Sequence, residues 1–316
     1  MAEAVDVAGL VDRARDGEPR AVARLISLVE RGSTALPEVA AALAPHTGNA
    51  LVVGITGAPG VGKSTSTNAL VRAYRAEGKR VAVIAVDPSS PFSGGALLGD
   101  RVRMGDHATD PGVFIRSMAT RGHLGGLSWA TPQALRVLDA VGFDVVLVET
   151  VGVGQSEVEV VALADTTLVL LAPGMGDGIQ AAKAGILEIA DVFVVNKADR
   201  DGADQTARDL KYMISLGRRD RSGPSWRAPV VKTVAARAEG LDRVVAAIDE
   251  HRAWMTEHGE LAGRRLRRAA AEIEAIAVER VRTRFPAADE LAARVVEGEL
   301  DPFTAAEKLI SGSLGE

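Results

Sequence analysis

The sequence predicts an α/β fold in which helices cover both faces of a mostly parallel sheet. From about residue 50 to about residue 258, short apolar runs alternate with segments of helical periodicity, as expected for parallel strands joined by right-handed crossovers. The composition agrees, because 47% of the residues are hydrophobic and only 3% are aromatic. Polar motifs follow several of the apolar runs, which is where an open parallel sheet binds its ligand.

We expect seven strands, each a short run rich in Val, Ile or Leu. They lie at Ala50 to Thr56, Arg80 to Val86, Val113 to Ser117, Asp144 to Glu149, Thr166 to Ala172, Val192 to Asn196 and Val230 to Val234. At 316 residues, the chain is long enough for one large domain of this kind with helices appended at its ends.

The helices outside the sheet region divide the chain into three parts. Residues 1–48 are expected to form a helical cap, 49–258 the domain that contains the sheet, and 259–316 a helical arm. Two apolar faces with helical spacing support the cap. Their members are Val7, Leu10, Val11 and Ala14 in the first, and Val22, Leu25, Ile26 and Val29 in the second.

The arm combines an apolar stripe with a basic cluster. The stripe consists of Leu266, Ile273, Ile276 and Val281. A long helix with such a stripe favours pairing with its copy, so we expect a homodimer formed through the arm. The basic cluster consists of Arg264, Arg265, Arg267 and Arg268, which we expect to form a solvated helix face.

Charge and cysteine content exclude several function classes. The formal net charge of −5 leaves no excess of basic residues to neutralise nucleic-acid phosphates. The absence of cysteine excludes disulfides, zinc–thiolate sites and a cysteine nucleophile. The first residues lack the basic and apolar regions of a signal peptide, and no apolar run is long enough to span a bilayer. We therefore expect a cytoplasmic protein with neither nucleic-acid nor membrane partners.

The strongest motif follows the first strand and reads G-x-x-x-x-G-K-S from Gly57 to Ser64, the pattern of a phosphate-binding P-loop. Glycines allow the backbone N–H groups to turn into one concavity, and the following helix adds its positive end. Lys63 is expected to contact the β- and γ-phosphates, and the Ser64 hydroxyl to complete the shell of a Mg²⁺ ion. The predicted nucleotide-binding residues are Gly57, Ala58, Pro59, Gly60, Val61, Gly62, Lys63, Ser64 and Thr65.

Acidic residues at the tips of neighbouring strands are candidate magnesium ligands. Glu149 ends the fourth strand and is expected to act on the metal directly or through its water, while Gly152 would meet the γ-phosphate. Asp87 ends the second strand, and Asp100 follows in the loop beyond it. Asp87 is either a further carboxylate at the same rim or a turn-forming residue before proline, and Asp100 is either a ligand that swings in when nucleotide binds or an ordinary loop residue.

A second motif indicates which base is bound. Asn196, Lys197 and Asp199 form the N-K-x-D arrangement of guanine-binding GTPases at the end of the sixth strand. Guanine presents N1–H and N2–H₂ side by side, and one carboxylate accepts from both, whereas adenine has no such donor pair. Such a site rejects the wrong base by roughly 10⁴-fold or more. Backbone N–H groups of Ala235, Ala236 and Arg237, after the next strand, are placed to meet the guanine O6.

The sequence lacks the usual residue for positioning water. Ras-like enzymes carry glutamine directly after the glycine of the Glu149 to Gly152 motif, and this chain has Val153 there. The glycine-rich segment 174–183 follows a strand and is expected to be a mobile switch. Lys183, or an arginine between Arg101 and Arg121, would stabilise charge that develops during transfer. We expect slow basal hydrolysis until a partner or dimer mate orders the switch.

These motifs together resemble the MeaB/ArgK family of P-loop GTPases. The resemblance rests on five segments: 57–65, 86–90, 99–104, 149–156 and 196–199. It implies a homodimeric GTPase that binds GTP and GDP with Mg²⁺. It further implies a chaperone for adenosylcobalamin-dependent methylmalonyl-CoA mutase, which acts in loading and protecting the cobalamin cofactor. The same resemblance implies a magnesium set of Ser64, Asp87, Asp100 and Glu149, and a switch that contains Lys183.

Three other functions remain as alternatives. A GTPase that inserts nickel or another metal into a metalloenzyme would need Cys or His ligands, but there is no cysteine and the five histidines show no metal-binding spacing. A kinase that phosphorylates a transport-system protein would need an acceptor pocket, which the sequence does not reveal. A signal-recognition GTPase would need a Met-rich segment, whereas the six methionines are scattered.

Overall fold

The computed structural model describes residues 6–88, 107, 109–120, 130–150, 162–174, 187–216, 225–282 and 288–313. The chain falls into two units, Met1–Arg265 and Leu266–Glu316. The N-terminal helices belong to the first unit, together with the sheet. No helix in these ranges is both long enough and apolar enough to cross a membrane.

The first unit is built on a seven-stranded sheet whose paired strands are all parallel. The strands are β1 (Leu51–Gly57), β2 (Val81–Pro88), β3 (Val113–Thr120), β4 (Val145–Thr150), β5 (Thr166–Leu171), β6 (Val192–Val195) and β7 (Val230–Lys232). Their order across the sheet is β3-β2-β4-β1-β5-β6-β7. The predicted fold class is confirmed, and the observed strand ends differ from the predicted ones by up to three residues.

Helices precede, connect and follow the strands. The first unit contains α1 (Val7–Arg15), α2 (Pro19–Glu30), α3 (Leu36–Leu43), α4 (Lys63–Ala76), α5 (Ala130–Ala140), α6 (Ala203–Leu216) and α7 (Leu241–Glu257). Then follow α8 (Glu260–Arg282), α9 (Asp289–Val296) and α10 (Pro302–Ser313). Short helical turns occur at Ala44–His46, Leu187–Ile189 and Ala235–Arg237.

Both faces of the sheet are buried, because successive strand residues point to opposite sides. In β1, Val52 packs in a core with α1, α2, α3 and α5, whereas Leu51 and Val53 pack in a second core with α4 and α7. A third core joins α6 to β5 and β6 through residues such as Phe193 and Leu210. The apolar faces predicted for the N-terminal helices are buried in the first core, so these helices cover one side of the sheet.

The start of α8 is tied to the amino ends of three strands by the amino-edge ion pairs, Arg264–Asp191 and Arg265–Asp165. Arg264 donates from both terminal nitrogens to Asp191 at 2.8 Å. Arg265 donates to Asp165 at 3.0 Å and to the carbonyls of Gly48 and Ala50, just before β1. The prediction of a solvated basic face is wrong for these two arginines, because the buried carboxylates at the starts of β5 and β6 require cationic partners.

Several apolar side chains of the second unit are exposed. Leu266 and Ile273 are 72% and 68% exposed, and Val281 is 49% exposed, whereas Ile276 is half-buried. On the following helices, Val296 and Phe303 are also exposed. Part of the predicted stripe therefore faces solvent within one chain.

Candidate nucleotide-binding site

The loop between β1 and α4 requires glycine at two positions. Gly57 has φ +143°, and an added Cβ would lie 2.3 Å from the backbone oxygen of Leu170 in β5. Gly62 has φ +96°, and a Cβ there would lie 2.4 Å from the side-chain nitrogen of Asn196. Real Cβ atoms do not tolerate such distances, and L-residues disfavour these φ values. Gly57 and Gly62, predicted from phosphate binding, are thus also required because the ends of β5 and β6 lie too close to leave room for a Cβ.

Lys63 opens α4 and turns back over the loop. Its Nζ donates to the carbonyls of Gly57 at 2.6 Å and Ala58 at 3.2 Å, and the residue is 7% exposed. The ammonium group is therefore held inside the curve of the loop that is predicted to bind phosphates.

Ser64 and Glu149 bring two oxygen ligands together at the mouth of the loop. The Ser64 hydroxyl donates to Glu149 Oε1 at 2.5 Å. Glu149 is 1% exposed, and β4 carries it beside β1, where it pairs in register with Ile55. A hydroxyl and a carboxylate are the hard oxygen donors that Mg²⁺ prefers, so the two residues fit the predicted metal. Among the described residues, no group of three or more His, Asp or Glu side chains is arranged to hold a metal ion.

A cavity of about 430 Å³ opens over these groups. Its lining comprises Pro59, Gly60, Gly62, Lys63, Ser64, Thr65, Glu149, Thr150 and Lys197. Eight of these nine residues are predicted ligands: seven belong to the P-loop and N-K-x-D motifs, and the eighth is Glu149. The ninth, Thr150, was not predicted. Six predicted P-loop residues, among them the metal ligand Ser64, thus share one cavity with Glu149 and with Lys197 of the base motif.

Asn196 links three segments of the site. Its Nδ2 donates to the carbonyl of Val61 at 2.9 Å, and its Oδ1 accepts from the Thr233 hydroxyl at 3.2 Å and from the Ala235 N–H at 3.0 Å. The residue is 3% exposed. A buried amide that uses both its donor and its acceptor fixes the P-loop, the end of β6 and the segment after β7 relative to one another.

Lys197 and Asp199 stand on the rim of this arrangement. Lys197 has φ +57°, and its Nζ donates to the carbonyl of Gly60 at 2.6 Å. The turn is held by the Ala198 N–H, which donates to Thr233 O at 3.0 Å. The Asp199 side chain is 40% exposed. Lys197 lines the cavity, whereas Asp199 lies two residues beyond it along the chain and is open to solvent, so its carboxylate is available to a ligand.

A sequence model of the family described as methylmalonyl-CoA mutase-associated GTPase MeaB matches residues 22–290. The chain belongs to the MeaB family.

Relatives extend this match over nearly the whole chain. A protein of Pyrococcus horikoshii, provisionally named as a GTPase, is 47% identical over 310 residues, which cover 97% of this chain and 98% of the relative. GTPase ArgK of Escherichia coli is 39% identical and covers 83% of this chain and 80% of its own length. The mouse mitochondrial methylmalonic aciduria type A homolog is 39% identical over 67% of this chain and 52% of its own length.

A solved structure shares the fold of this MeaB-family chain. It is described as the LAO/AO transport system kinase, and it superposes with a TM-score of 0.72 at 30% identity, covering 98% of each chain. The predicted resemblance is therefore confirmed at the level of family and fold.

The segment after β7 of this MeaB-family protein modifies one prediction. The N–H of Ala235 donates to Asn196, and that of Arg237 donates to Val234 O at 2.9 Å. Both groups are thus used within the protein, which narrows the predicted contact with guanine O6 to the N–H of Ala236.

For four of the predicted site residues the structure describes no side-chain position. Asp100, Gly152 and Lys183 lie outside the described residues. For Asp87 the backbone is described, and it lies in β2 two positions beyond Ala85, the residue in register with Glu149. The strand order therefore brings the Asp87 backbone to the carboxyl edge of the sheet, on the same side as Glu149.

Sequence reasoning missed one part of the site, the side-chain contacts of Arg237. Its Nε and Nη2 donate to Glu239 at 2.7 Å and 3.4 Å, and its Nη1 lies 3.5 Å from Asp199 Oδ2. Glu239 itself is placed by an antiparallel bridge with Val234. The only signal in the sequence was an acidic residue two positions after a basic one, which is too common to indicate a site.

Proposed function

We propose that this protein is a Mg²⁺-dependent GTPase that binds GTP and hydrolyses its β–γ phosphoanhydride to give GDP. The observation that carries the proposal is the Asn196 linkage, which joins the P-loop to the N-K-x-D turn. The groups that would bind phosphate and base are thereby held at one edge of the sheet, at the carboxyl ends of the strands where such folds bind ligands. The GTPase names of the relatives support the same function.

In this function, the β1–α4 loop would bind the phosphates through its backbone N–H groups and Lys63. Ser64 and Glu149, with Asp87 and Asp100, would hold Mg²⁺, which neutralises phosphate charge when bound. Gly152 would contact the γ-phosphate. Lys63 and Glu149 already lie buried in the cavity wall, where Lys63 would contact the phosphates and Glu149 would act on the metal.

Asp199 would read the base. Its carboxylate is exposed and follows Lys197 by two residues, and the aliphatic stem of Lys197 would lie along the base plane. A guanine offers two N–H groups to this carboxylate, whereas an adenine would leave it desolvated and unpaired. The Ala236 N–H would donate to the guanine O6.

Hydrolysis by the isolated protein is expected to be slow. Val153 stands where Ras-like enzymes carry the glutamine that orients water, so a partner would complete the site. Lys183, in the predicted switch, would then stabilise the charge that develops on the transferred phosphate. Single-turnover rates as fast as those of fully stimulated GTPases would contradict this part of the proposal.

We further propose that the partner is adenosylcobalamin-dependent methylmalonyl-CoA mutase, for which the protein would act as a chaperone in cofactor loading and protection. The family description names this mutase, and the name of the mouse relative refers to methylmalonic aciduria. The exposed apolar residues of α8 support a homodimer formed through the arm. Sedimentation of the purified protein with the mutase, with GDP or with a non-hydrolysable GTP analogue, tests both association and stoichiometry; no complex under either condition would contradict the proposal.

A kinase remains the second candidate because of the solved structure described as a transport system kinase. The two activities differ in the phosphate acceptor. With γ-labelled GTP, a GTPase releases the label as inorganic phosphate, whereas a kinase transfers it to a protein. Labelled protein that accumulates in proportion to GTP consumed would favour the kinase.

Asp199→Asn tests the base assignment. An amide donates to the C2 carbonyl of xanthine and no longer accepts two guanine N–H groups, so preference should shift from GTP toward xanthosine triphosphate. We expect GTP affinity to fall about 10-fold or more, on the basis of charged hydrogen bonds worth about 1.5–3 kcal/mol each. Calorimetry with both nucleotides measures the change. Unchanged GTP affinity would remove guanine from the proposal.

A further inference from the structure

The Arg237 guanidinium is held on one side and presented to the base-reading carboxylate on the other. Glu239 accepts from Nε at 2.7 Å and from Nη2 at 3.4 Å. These two bonds fix the plane of the guanidinium, because Arg presents its donors in a rigid fork. The remaining nitrogen, Nη1, lies 3.5 Å from Asp199 Oδ2.

The backbone on both sides of this contact is also constrained. Arg237 ends the short helical turn Ala235–Arg237, and the next residue, Ala238, has φ +56°. Val234 and Glu239 close this loop with two backbone hydrogen bonds. On the other side, the Ala198 N–H donates to Thr233 O, so the turn that carries Asp199 is tied to the strand segment that leads to Arg237. Arginine and carboxylate therefore face each other from two connected, fixed turns.

We propose that Arg237 is a specificity-determining residue of the guanine site, where its guanidinium, anchored by Glu239, holds the Asp199 carboxylate in the orientation that reads guanine. This inference rests on the proposed function, since it assigns guanine to Asp199. An exposed carboxylate otherwise rotates freely about χ2, whereas reading two adjacent N–H groups requires both oxygens to face the base. Oδ2 has two lone pairs, so it can accept from Arg237 and from guanine together.

The contact does not act mainly through stability. Both side chains are substantially exposed, 54% for Arg237 and 40% for Asp199, and exposed ion pairs contribute little to folding. Glu239, rather than Asp199, is the chief cause of the raised pKa of Arg237. The guanidinium is bonded closely to Glu239 and lies 3.5 Å from Asp199. At that distance it can orient the Asp199 carboxylate and still leave it accessible to a ligand.

The experiment compares GTP with inosine triphosphate, which lacks the 2-amino group and therefore offers Asp199 one N–H instead of two. Arg237→Gln should weaken GTP binding more than inosine triphosphate binding, so that the ratio of the two dissociation constants narrows about threefold to fivefold. Glu239→Gln should narrow the ratio in the same direction, because it releases the guanidinium but leaves its charge. Calorimetry measures both affinities, and thermal unfolding checks that the variants remain folded.

Two controls separate orientation from general charge. Arg200→Ala removes an equal charge from an exposed side chain next to Asp199 in the sequence, and it should leave the ratio unchanged. In an Asp199→Asn background, Arg237→Gln should have no further effect on the ratio. If Arg237→Gln weakened the binding of GTP and inosine triphosphate equally, or acted undiminished in the Asp199→Asn background, the inference would be overturned. The proposal that the protein binds GTP would still stand. A wild-type protein that binds ATP as tightly as GTP would instead overturn the proposed function, and this inference with it.

Discussion

The amino-edge pair between Asp191 and Arg264 provides a quantitative test of what holds the sheet together. Asp191 is 9% exposed in its side chain and accepts from both Arg264 terminal nitrogens and from the Thr167 N–H, all at 2.8 Å. Asp191→Asn keeps the shape but removes the charge and turns one acceptor into a donor. The Arg264 guanidinium then lacks a charged partner. One of the three N–H groups that Asp191 accepts from, two of Arg264 and one of Thr167, then faces an N–H₂ group instead of an oxygen.

The expected loss follows from the burial of the pair. Removing one partner of a buried ion pair costs about 3–5 kcal/mol. Because the Arg264 side chain is 29% exposed, water recovers part of this, and we expect about 2–3 kcal/mol of lost unfolding free energy. Urea denaturation, followed by circular dichroism and tryptophan fluorescence, measures the loss. GTP affinity should stay close to that of the wild type, since Asp191 precedes β6 and the base motif follows it.

Asp204→Asn is the matched control. Asp204 pairs with Lys232 at 2.5 Å, but its side chain is 70% exposed and that of Lys232 is 44% exposed. A surface pair of this kind is screened by solvent, so the control should unfold almost as the wild type does. If Asp191→Asn were no less stable than Asp204→Asn, the amino-edge ion pairs would not contribute to stability in the way that their burial implies.

Two further predictions follow from the same geometry. Gly57→Ala should abolish nucleotide binding and destabilise the fold, because its Cβ would meet the Leu170 backbone. At Gly60 a Cβ would meet nothing, so Gly60→Ala should lose only the backbone strain of its positive φ, about 1–2 kcal/mol of unfolding free energy. Equal losses of the two variants in thermal unfolding would argue against the backbone clash. Although burial by itself raises the pKa of Asp191, the His251 ring, whose Nε2 lies 3.2 Å from Oδ1, and the hydrogen bonds from Arg264 outweigh it and lower that pKa below its usual value of 3.8. Its stabilising contribution is therefore present above that value and is lost as the pH falls through the lowered pKa. The stability gap between wild type and Asp191→Asn should therefore narrow once the pH falls below about 3.8 in urea titrations; a gap that widens would refute this sign.

The sequence predicted the strands well because fully buried parallel strands are continuous apolar runs. Their ends were less certain because pairing with a neighbour decides them. β3, for example, continues past Ser117 to Thr120, since these residues pair with β2 as far as Pro88. The Gly57 to Ser64 motif was also readable, because its chemistry depends on spacing within one short segment. Asn196, Lys197 and Asp199 were readable for the same reason.

What the sequence by itself determined about this protein is therefore the fold class, the family and the local phosphate and base motifs. Only the tertiary structure decided that Arg264 and Arg265 bind carboxylates 73 and 100 residues away, and that Arg237 stands against Asp199 across 38 residues. A periodic pattern reports which face of a helix is apolar, but a charged residue on a helix looks the same in sequence whether it meets water or a buried aspartate. The difference arises when distant strand ends bring carboxylates together at one edge, where desolvation makes a paired cation necessary.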